Sequence, residues 1–257
     1  TKLPIEKIGH KWKVKDGYSL DKTLSFEEDL VLDILKEFSS TMGEFFSTKT
    51  NNLFSKLQSN HKNPFYSKIE IEDISLDTDI IKKLRQSIEE KKQIEFYFKD
   101  KYRFIEPYAI TNFDGFWYLY GNDLLENRLK TFYIKNIKSL TQTPNSFKED
   151  TKALEKLKLA LNIWFEPSAK TFEVKLLAKS NIAKYFRRRP LNYSQKITKT
   201  FEDKSVEITI DVSSKKEVLY EIKKWQPNLL VLEPQFLIKE ALQDNKEFLS
   251  NQLVVIL

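Results

Sequence analysis

Three groups of side chains could do chemistry here, and all three suit holding an anion or a base rather than breaking a bond. The first is the stretch Phe113-Asp114-Gly115-Phe116-Trp117-Tyr118-Leu119-Tyr120-Gly121. Asp114-Gly115 reads as a tight hairpin turn, since Gly takes the positive φ that a type I′ turn needs. The residues after it form a strand with bulky groups on both faces, so either both faces are covered or one displays its aromatics. In a regular strand Trp117 and Leu119 face one way and Tyr118 the other. Trp117 and Leu119 are therefore expected in the core. Tyr118 is the binding candidate, because its ring can stack on a base while its hydroxyl hydrogen-bonds a phosphate.

The second group is basic. Arg128, Lys130, Lys135 and Lys138 occur with no acid between residues 128 and 138. Arg128 and Lys130 share a strand face and could hold phosphates, or else form a solvated edge. Arg103 could be a structural cation for Glu106. Three residues along a strand place the two on opposite faces, which favours a ligand role for Arg103. The third group is Lys184, Arg187, Arg188 and Arg189. Positive charge suits the carbonyl end of the helix that precedes it. Three consecutive arginines exceed that need, which makes Arg187, Arg188 and Arg189 candidate nucleic-acid contacts.

Other chemistries are poorly supplied. The chain of 257 residues has no cysteine and two histidines, His10 and His61, far apart in polar surroundings. Thiolate chemistry, disulfides and ordinary histidine-based metal sites or triads are thereby excluded or starved of ligands. A hydrolase built on Glu106 and Asp114 lacks a paired-carboxylate, nucleophile or Gly-rich phosphate-loop signal. No enzyme activity and no cofactor are expected. The net charge is +6, and no apolar run approaches the roughly 20 residues that span a bilayer. A cytoplasmic protein without membrane attachment is the expectation.

The elements that must position these groups alternate in kind. Residues 1–24 are polar and irregular, with a strand-like Lys11–Lys15. Ser25 and Glu28 form a capping box that opens a helix, whose Leu30, Ile34 and Phe38 lie on one face. A second helical stretch carries Leu53, Phe54 and Leu57, and an extended piece runs from Phe65 to Ile74. A third helix is capped by Asp77 or Thr78. Short strands follow at Gln93–Phe98, Tyr102–Thr111, from Phe116, and at Leu129–Ile134, a spacing that suggests a small SH3-like barrel. Thr143–Phe147 reads as a linker, and a helix from about Asp150 to Trp164 leads out of it. The remainder reads strand Thr171–Ala178, helix Ser180–Phe186, strands Leu191–Thr200 and Ser205–Val212, helix Lys215–Trp225, strand Asn228–Leu232 and helix Pro234–Leu249. That βαββαβ order with a trailing helix is ferredoxin-like. The final Leu253–Leu257 is a strand-like apolar run.

Over roughly residues 10–250 the chain resembles bacterial WYL-domain transcriptional regulators. The name-giving tripeptide is Trp117-Tyr118-Leu119. Upstream stands Arg103-Phe104-Ile105-Glu106-Pro107, where the family has an Arg three residues before a Glu-Pro-type pair. Downstream, Lys130-Thr131-Phe132-Tyr133-Ile134-Lys135-Asn136-Ile137 matches a stretch of the form Arg-Thr-Phe-Arg-Leu-Asp-Arg-Ile, with Tyr133 and Asn136 at arginine positions and Lys135 at the Asp position. Leu232–Leu242 and Trp225 resemble the end of the family's C-terminal WCX extension.

The resemblance implies an α+β protein. Its parts would be a remnant of a winged helix-turn-helix wing at 1–24, a helical linker at 25–92 and an SH3-like (Sm-like) WYL barrel at 93–142. A linker and helix at 143–170 and a ferredoxin-like WCX-type domain at 171–257 would follow. It implies a dimerising, ligand-sensing part of a transcriptional regulator that binds a nucleotide or short single-stranded nucleic acid. The ligand set would be Arg103, Tyr118, Arg128, Lys130 and Tyr133. Promoter DNA would be reached through a missing N-terminal reader, and the chain would form a homodimer. The alternative is a stand-alone RNA- or single-stranded-DNA-binding module without a switch.

Overall fold

The computed structural model describes residues 5–8, 11–14, 26–40, 44–54, 68, 70–73 and 77–256. The chain divides into two compact units, Thr1–Asp73 and Ile74–Leu257. In the first, β1 (Ile5–Ile8) and β2 (Lys11–Val14) pair antiparallel, Ile5 opposite Val14. Helices α1 (Phe26–Ser40) and α2 (Glu44–Phe54) follow. The expected cap at Ser25, and Leu57 and Phe65 of the next two expected elements, lie outside the described residues.

The second unit opens with α3 (Thr78–Glu89), whose N-cap Asp77 makes no side-chain capping bond. Five antiparallel strands follow: β3 (Lys92–Phe98), β4 (Lys101–Phe113), β5 (Phe116–Asp123), β6 (Arg128–Tyr133) and β7 (Lys138–Ser146). Their order is β6-β5-β4-β3-β7. A 3-10 turn at Ile134–Asn136 sends the chain from one edge strand to the other, which curls the sheet as in an SH3-like barrel. No ladder joins β6 to β7 among the described residues, so the barrel is open there. The expected linker at Thr143–Phe147 is largely strand: β7 pairs with β3 as far as Ser146 opposite Lys92.

The bulky residues of β5 are explained by cover on both faces. Leu119 is fully buried with Leu84 of α3, Ile94, Phe96, Ile105 and Phe132, and Trp117 packs against this cluster as expected. On the opposite face Tyr120 is fully buried with Tyr108, Ala153 and Phe165. Its hydroxyl donates to Ala153 O at 2.9 Å. The hairpin turn has the expected conformation, with φ of 50° at Asp114 and 91° at Gly115. Gly121 is required for another reason: a Cβ there would lie 2.4 Å from Glu106 O and 2.8 Å from Ile105 Cγ2.

Helix α4 (Thr151–Leu159) is capped by the Asp150 side chain, which accepts from Lys152 N and Ala153 N. It stops five residues short of the expected Trp164. Asn192 Nδ2 donates to Leu159 O at 2.7 Å, and Leu161 N donates to Glu217 Oε1 at 3.2 Å, drawing the chain away from the helical path.

The last domain comprises β8 (Phe172–Ala178), α5 (Ser180–Arg188), β9 (Lys196–Thr200), β10 (Val206–Val212), α6 (Lys215–Trp225), β11 (Leu229–Glu233) and α7 (Gln235–Ile256). The sheet order β11-β8-β10-β9, all antiparallel, is the ferredoxin-like one. Residues 191–195, expected as strand, instead form a turn held by Asn192 and Ser194. The terminal apolar run is not strand: α7 continues to Ile256, since neither Gly nor Pro interrupts the chain after Pro234. Among the described residues no helix is long and apolar enough to cross a membrane.

Candidate nucleic-acid site

The basic residues of the barrel meet acids. Arg103 on β4 donates from Nη1 to Asp123 Oδ2 at 2.8 Å and to Glu126 Oε1 at 2.6 Å. Lys130 on β6 reaches the same Asp123 oxygen at 2.8 Å and also Glu126 Oε1. Arg128, more exposed, pairs with Glu126 Oε2 at 2.8 Å. Asp123 is fully buried, and its other oxygen accepts from Leu125 N and Glu126 N, shaping the β5–β6 turn. Hydrogen bonds from Lys130 and Arg103 pull the Glu126 carboxyl down to about 2. Three of the five expected ligand residues thus form one ion cluster of three cations and two carboxylates. Arg103 does not serve Glu106, which accepts from Tyr108 Oη at 3.1 Å and Asn122 Nδ2 at 3.2 Å.

The other two meet as aromatics. Tyr118 and Tyr133 stand opposite each other on β5 and β6, their ring centroids 5.6 Å apart and tilted by 48°. Phe113 lies 6.1 Å from Tyr118, and Phe116 lies 6.2 Å from Tyr133. Phe116 is 48% exposed. The four rings form a partly exposed stacking surface where the β4–β5 hairpin begins to leave the barrel core.

At the tip of that hairpin is a cavity of about 350 Å³, lined on one side by Asp114 and on the other by α5, α6 and the turn after α5. Arg188, Arg189, Tyr185, Trp225, Glu221 and Lys224 face it. Arg187 does not; its Nη2 donates to Thr200 Oγ1 at 3.0 Å on β9. Tyr185 and Trp225 rings lie 5.4 Å apart, tilted by 36°. Glu221 is 7% exposed, and burial pushes its carboxyl above the ordinary range, against the pull of Lys224, Trp225 and Arg189. Among the described residues no group of three or more histidines and acids is arranged to hold a metal ion.

Residues 79–142 match the WYL domain, and residues 170–249 match the WCX domain. The chain carries a WYL domain followed by a WCX domain. No curated protein matches it significantly. Among solved structures, 16 chains match. One is the proteasome accessory factor B/C (PafBC) of Arthrobacter aurescens, at 13% identity over 76% of this chain, with a TM-score of 0.30; the chain spans only 28% of that protein's length. Another is a CRISPR Cas-related protein, at 14% identity over 93% of this chain and 76% of that one, with a TM-score of 0.49.

Within the WYL domain, sequence reasoning missed Asp123 and Glu126. Their signal was present, since Asp123 ends β5 and Glu126 lies in the turn just before Arg128. In the WCX domain it missed Glu221, one of several acids on a helix, which only packing distinguishes. Glu217 was missed for the same reason. It is fully buried and accepts from Leu161 N, Ser213 N, Ser213 Oγ and Ser214 N, fastening α6 to the segment after α4. Phe113 and Phe116 complete the aromatic surface and were read only as part of a hairpin.

Proposed function

We propose that this chain is the ligand-sensing, dimerising part of a bacterial transcriptional regulator, and that its ligand is a nucleotide or short single-stranded nucleic acid. The WYL and WCX domains support this reading. One observation carries the choice of ligand: the aromatic surface of Tyr118, Tyr133, Phe113 and Phe116 adjoins, along a single hairpin, a cavity bearing Arg188 and Arg189. Bases stack on the rings and phosphates pair with the arginines. Arg187 extends the positive track towards β9. Arg128, at the exposed edge of the ion cluster, adds a phosphate contact, while Arg103 and Lys130 hold the barrel end in shape and leave the cluster with a net positive charge.

Because the cavity is bounded by both domains, a ligand there favours one arrangement of hairpin and WCX domain over others, which is what a switch requires. The chemistry is binding alone, with no cofactor and no covalent step. Promoter DNA would be engaged by a reader domain outside this chain. A homodimer accounts for exposed apolar residues on α1 (Val31, Ile34, Leu35, Phe38) and on α7 (Leu242, Phe248, Leu249, Leu253), which a monomer would leave in water.

Fluorescence anisotropy with a labelled single-stranded heptamer tests the ligand. Binding should weaken with salt, with a slope of about −0.7 per phosphate neutralised. Tyr118→Ala and Tyr133→Ala should each cost about tenfold or more in affinity. A heptamer that fails to bind at low salt, or binds these variants as well as the parent, would refute it. Sedimentation of the intact chain should show a dimer at micromolar concentration.

A further inference from the structure

We propose that the cavity at the hairpin tip is a base-selective pocket for one guanine nucleotide, its base edge read by Glu221 and its phosphate held by Arg188 and Arg189. The inference rests on the reading of the chain as a single-strand binder and adds the base to it.

The cavity is not a simple anion hole. Two acids, Glu221 and Asp114, face it together with the arginines. A phosphate alone would gain nothing from them and would be repelled. Glu221 is also nearly removed from water, at 7% exposed, and its closest cation, Lys224 Nζ, is 4.0 Å from Oε2. No hydrogen bond to its side chain is found among the described residues, although the neighbouring Trp225 side chain favours its charged form. A buried carboxylate needs donors. Arg188 and Arg189 are exposed, and no ion pair among the described residues engages either. The pocket thus offers a nearly buried acceptor, exposed guanidinium forks and the paired rings of Tyr185 and Trp225.

A ligand that matches all three has a donor edge, a flat body and an anionic tail. Among the bases, guanine alone presents two adjacent donors, N1–H and the N2 amino group, on its Watson–Crick edge, and a carboxylate accepts both. Adenine, cytosine and uracil or thymine place an acceptor beside each donor, which a carboxylate repels. Proteins that read unstacked bases do so by this edge while an aromatic ring holds the face. The volume of about 350 Å³ is at the scale of a small-ligand site and suits one nucleotide.

The test uses the full chain and four labelled heptamers: thymine throughout, and the same strand with a central guanine, adenine or cytosine. The guanine strand should bind about tenfold tighter than the adenine strand, the discrimination expected of one good bidentate contact. Unlabelled GMP should compete for it and AMP should not. Glu221→Gln should remove the guanine preference by weakening the guanine strand without weakening the thymine strand, and its melting temperature shows whether it folds. Tyr185→Ala, at an exposed position, gives a second variant that should weaken the guanine strand selectively. Equal affinity for all four strands, or a guanine preference that survives both substitutions, overturns this inference and leaves the single-strand reading standing. Failure of every strand to bind overturns both.

Discussion

Two clusters of positive charge look alike in the sequence and differ in the molecule. In the WYL barrel, Arg103 and Lys130 converge on a fully buried Asp123 and on Glu126, and Arg128 closes the cluster from outside. At the end of α5, Arg188 and Arg189 line a cavity whose nearest buried acid, Glu221, lies 4.0 Å from a lysine. The first cluster has its counter-charges built in and serves shape. The second has most of its cationic capacity unspent. A basic run in a sequence reports only how much positive charge there is. How much remains for a ligand depends on which acids the fold brings back to it.

The largest effect that could break this contrast comes from Asp123→Ala. It leaves Arg103 and Lys130, both about one-seventh exposed, facing one carboxylate instead of two. Removing one partner from a buried ion network costs about 3–5 kcal/mol. The double change Arg188→Ala, Arg189→Ala should cost within about 0.5 kcal/mol, as exposed substitutions do. Urea unfolding measures both, and equal costs would dissolve the distinction.

Gly121→Ala should follow, at about 1–3 kcal/mol, as an overpacked position. Its new methyl group would press on Glu106 O, a backbone atom that a side-chain rotation cannot move aside. The variant separates barrel integrity from cation pairing, because Gly121 lies opposite Lys130 in the ladder yet carries no charge. A shift in melting temperature should therefore appear with unchanged pH dependence.

Much of the fold could be read from the sequence, because the same residues that form its elements also bury them. Strands β3, β5, β8 and β10 carry their apolar residues at spacings that match their buried faces. The βαββαβ order follows from element types alone. Where local pattern yields to distant hydrogen bonds, the sequence misleads: α4 looks helical to Trp164, and it is Asn192 and Glu217, more than thirty residues away, that end it early. The site was legible as residue types and only partly as geometry. Tyr118 and Tyr133 do meet, and Arg188 and Arg189 do share a cavity. That Asp123 and Glu126 occupy Arg103 and Lys130 depends on a turn bending back across two strands, which spacing does not reveal.

A smaller effect is expected from pH at the barrel end. The Glu126 carboxyl is held down to about 2 by its hydrogen bonds from Lys130 and Arg103. A carboxylate with a lowered value stabilises the folded chain above its ordinary range, about 4.3, and loses that contribution as the pH falls to about 2. Glu126→Gln should flatten this acid limb, measured as melting temperature against pH. A limb identical in parent and variant would show that the cluster does not act through Glu126.

The smallest effect has the opposite sign and sits in the other cluster. Burial raises the Glu221 carboxyl above its ordinary range, with Lys224, Trp225 and Arg189 opposing the shift and Asp114 adding to it. A carboxyl with a raised value binds its proton more readily in the folded chain. Its contribution is then fully present below the ordinary range and is lost as the pH rises through the folded value. Glu221→Gln removes that dependence while keeping the size of the side chain. The variant should therefore match the parent under acid conditions and be slightly the more stable at neutral pH. Glu126→Gln should show the reverse, with its deficit at neutral pH and none in acid. A Glu221→Gln chain that is less stable than the parent at neutral pH would mean the carboxylate is already satisfied by the protein, and the contrast between a closed and an open cluster would fail at the residue on which it most depends.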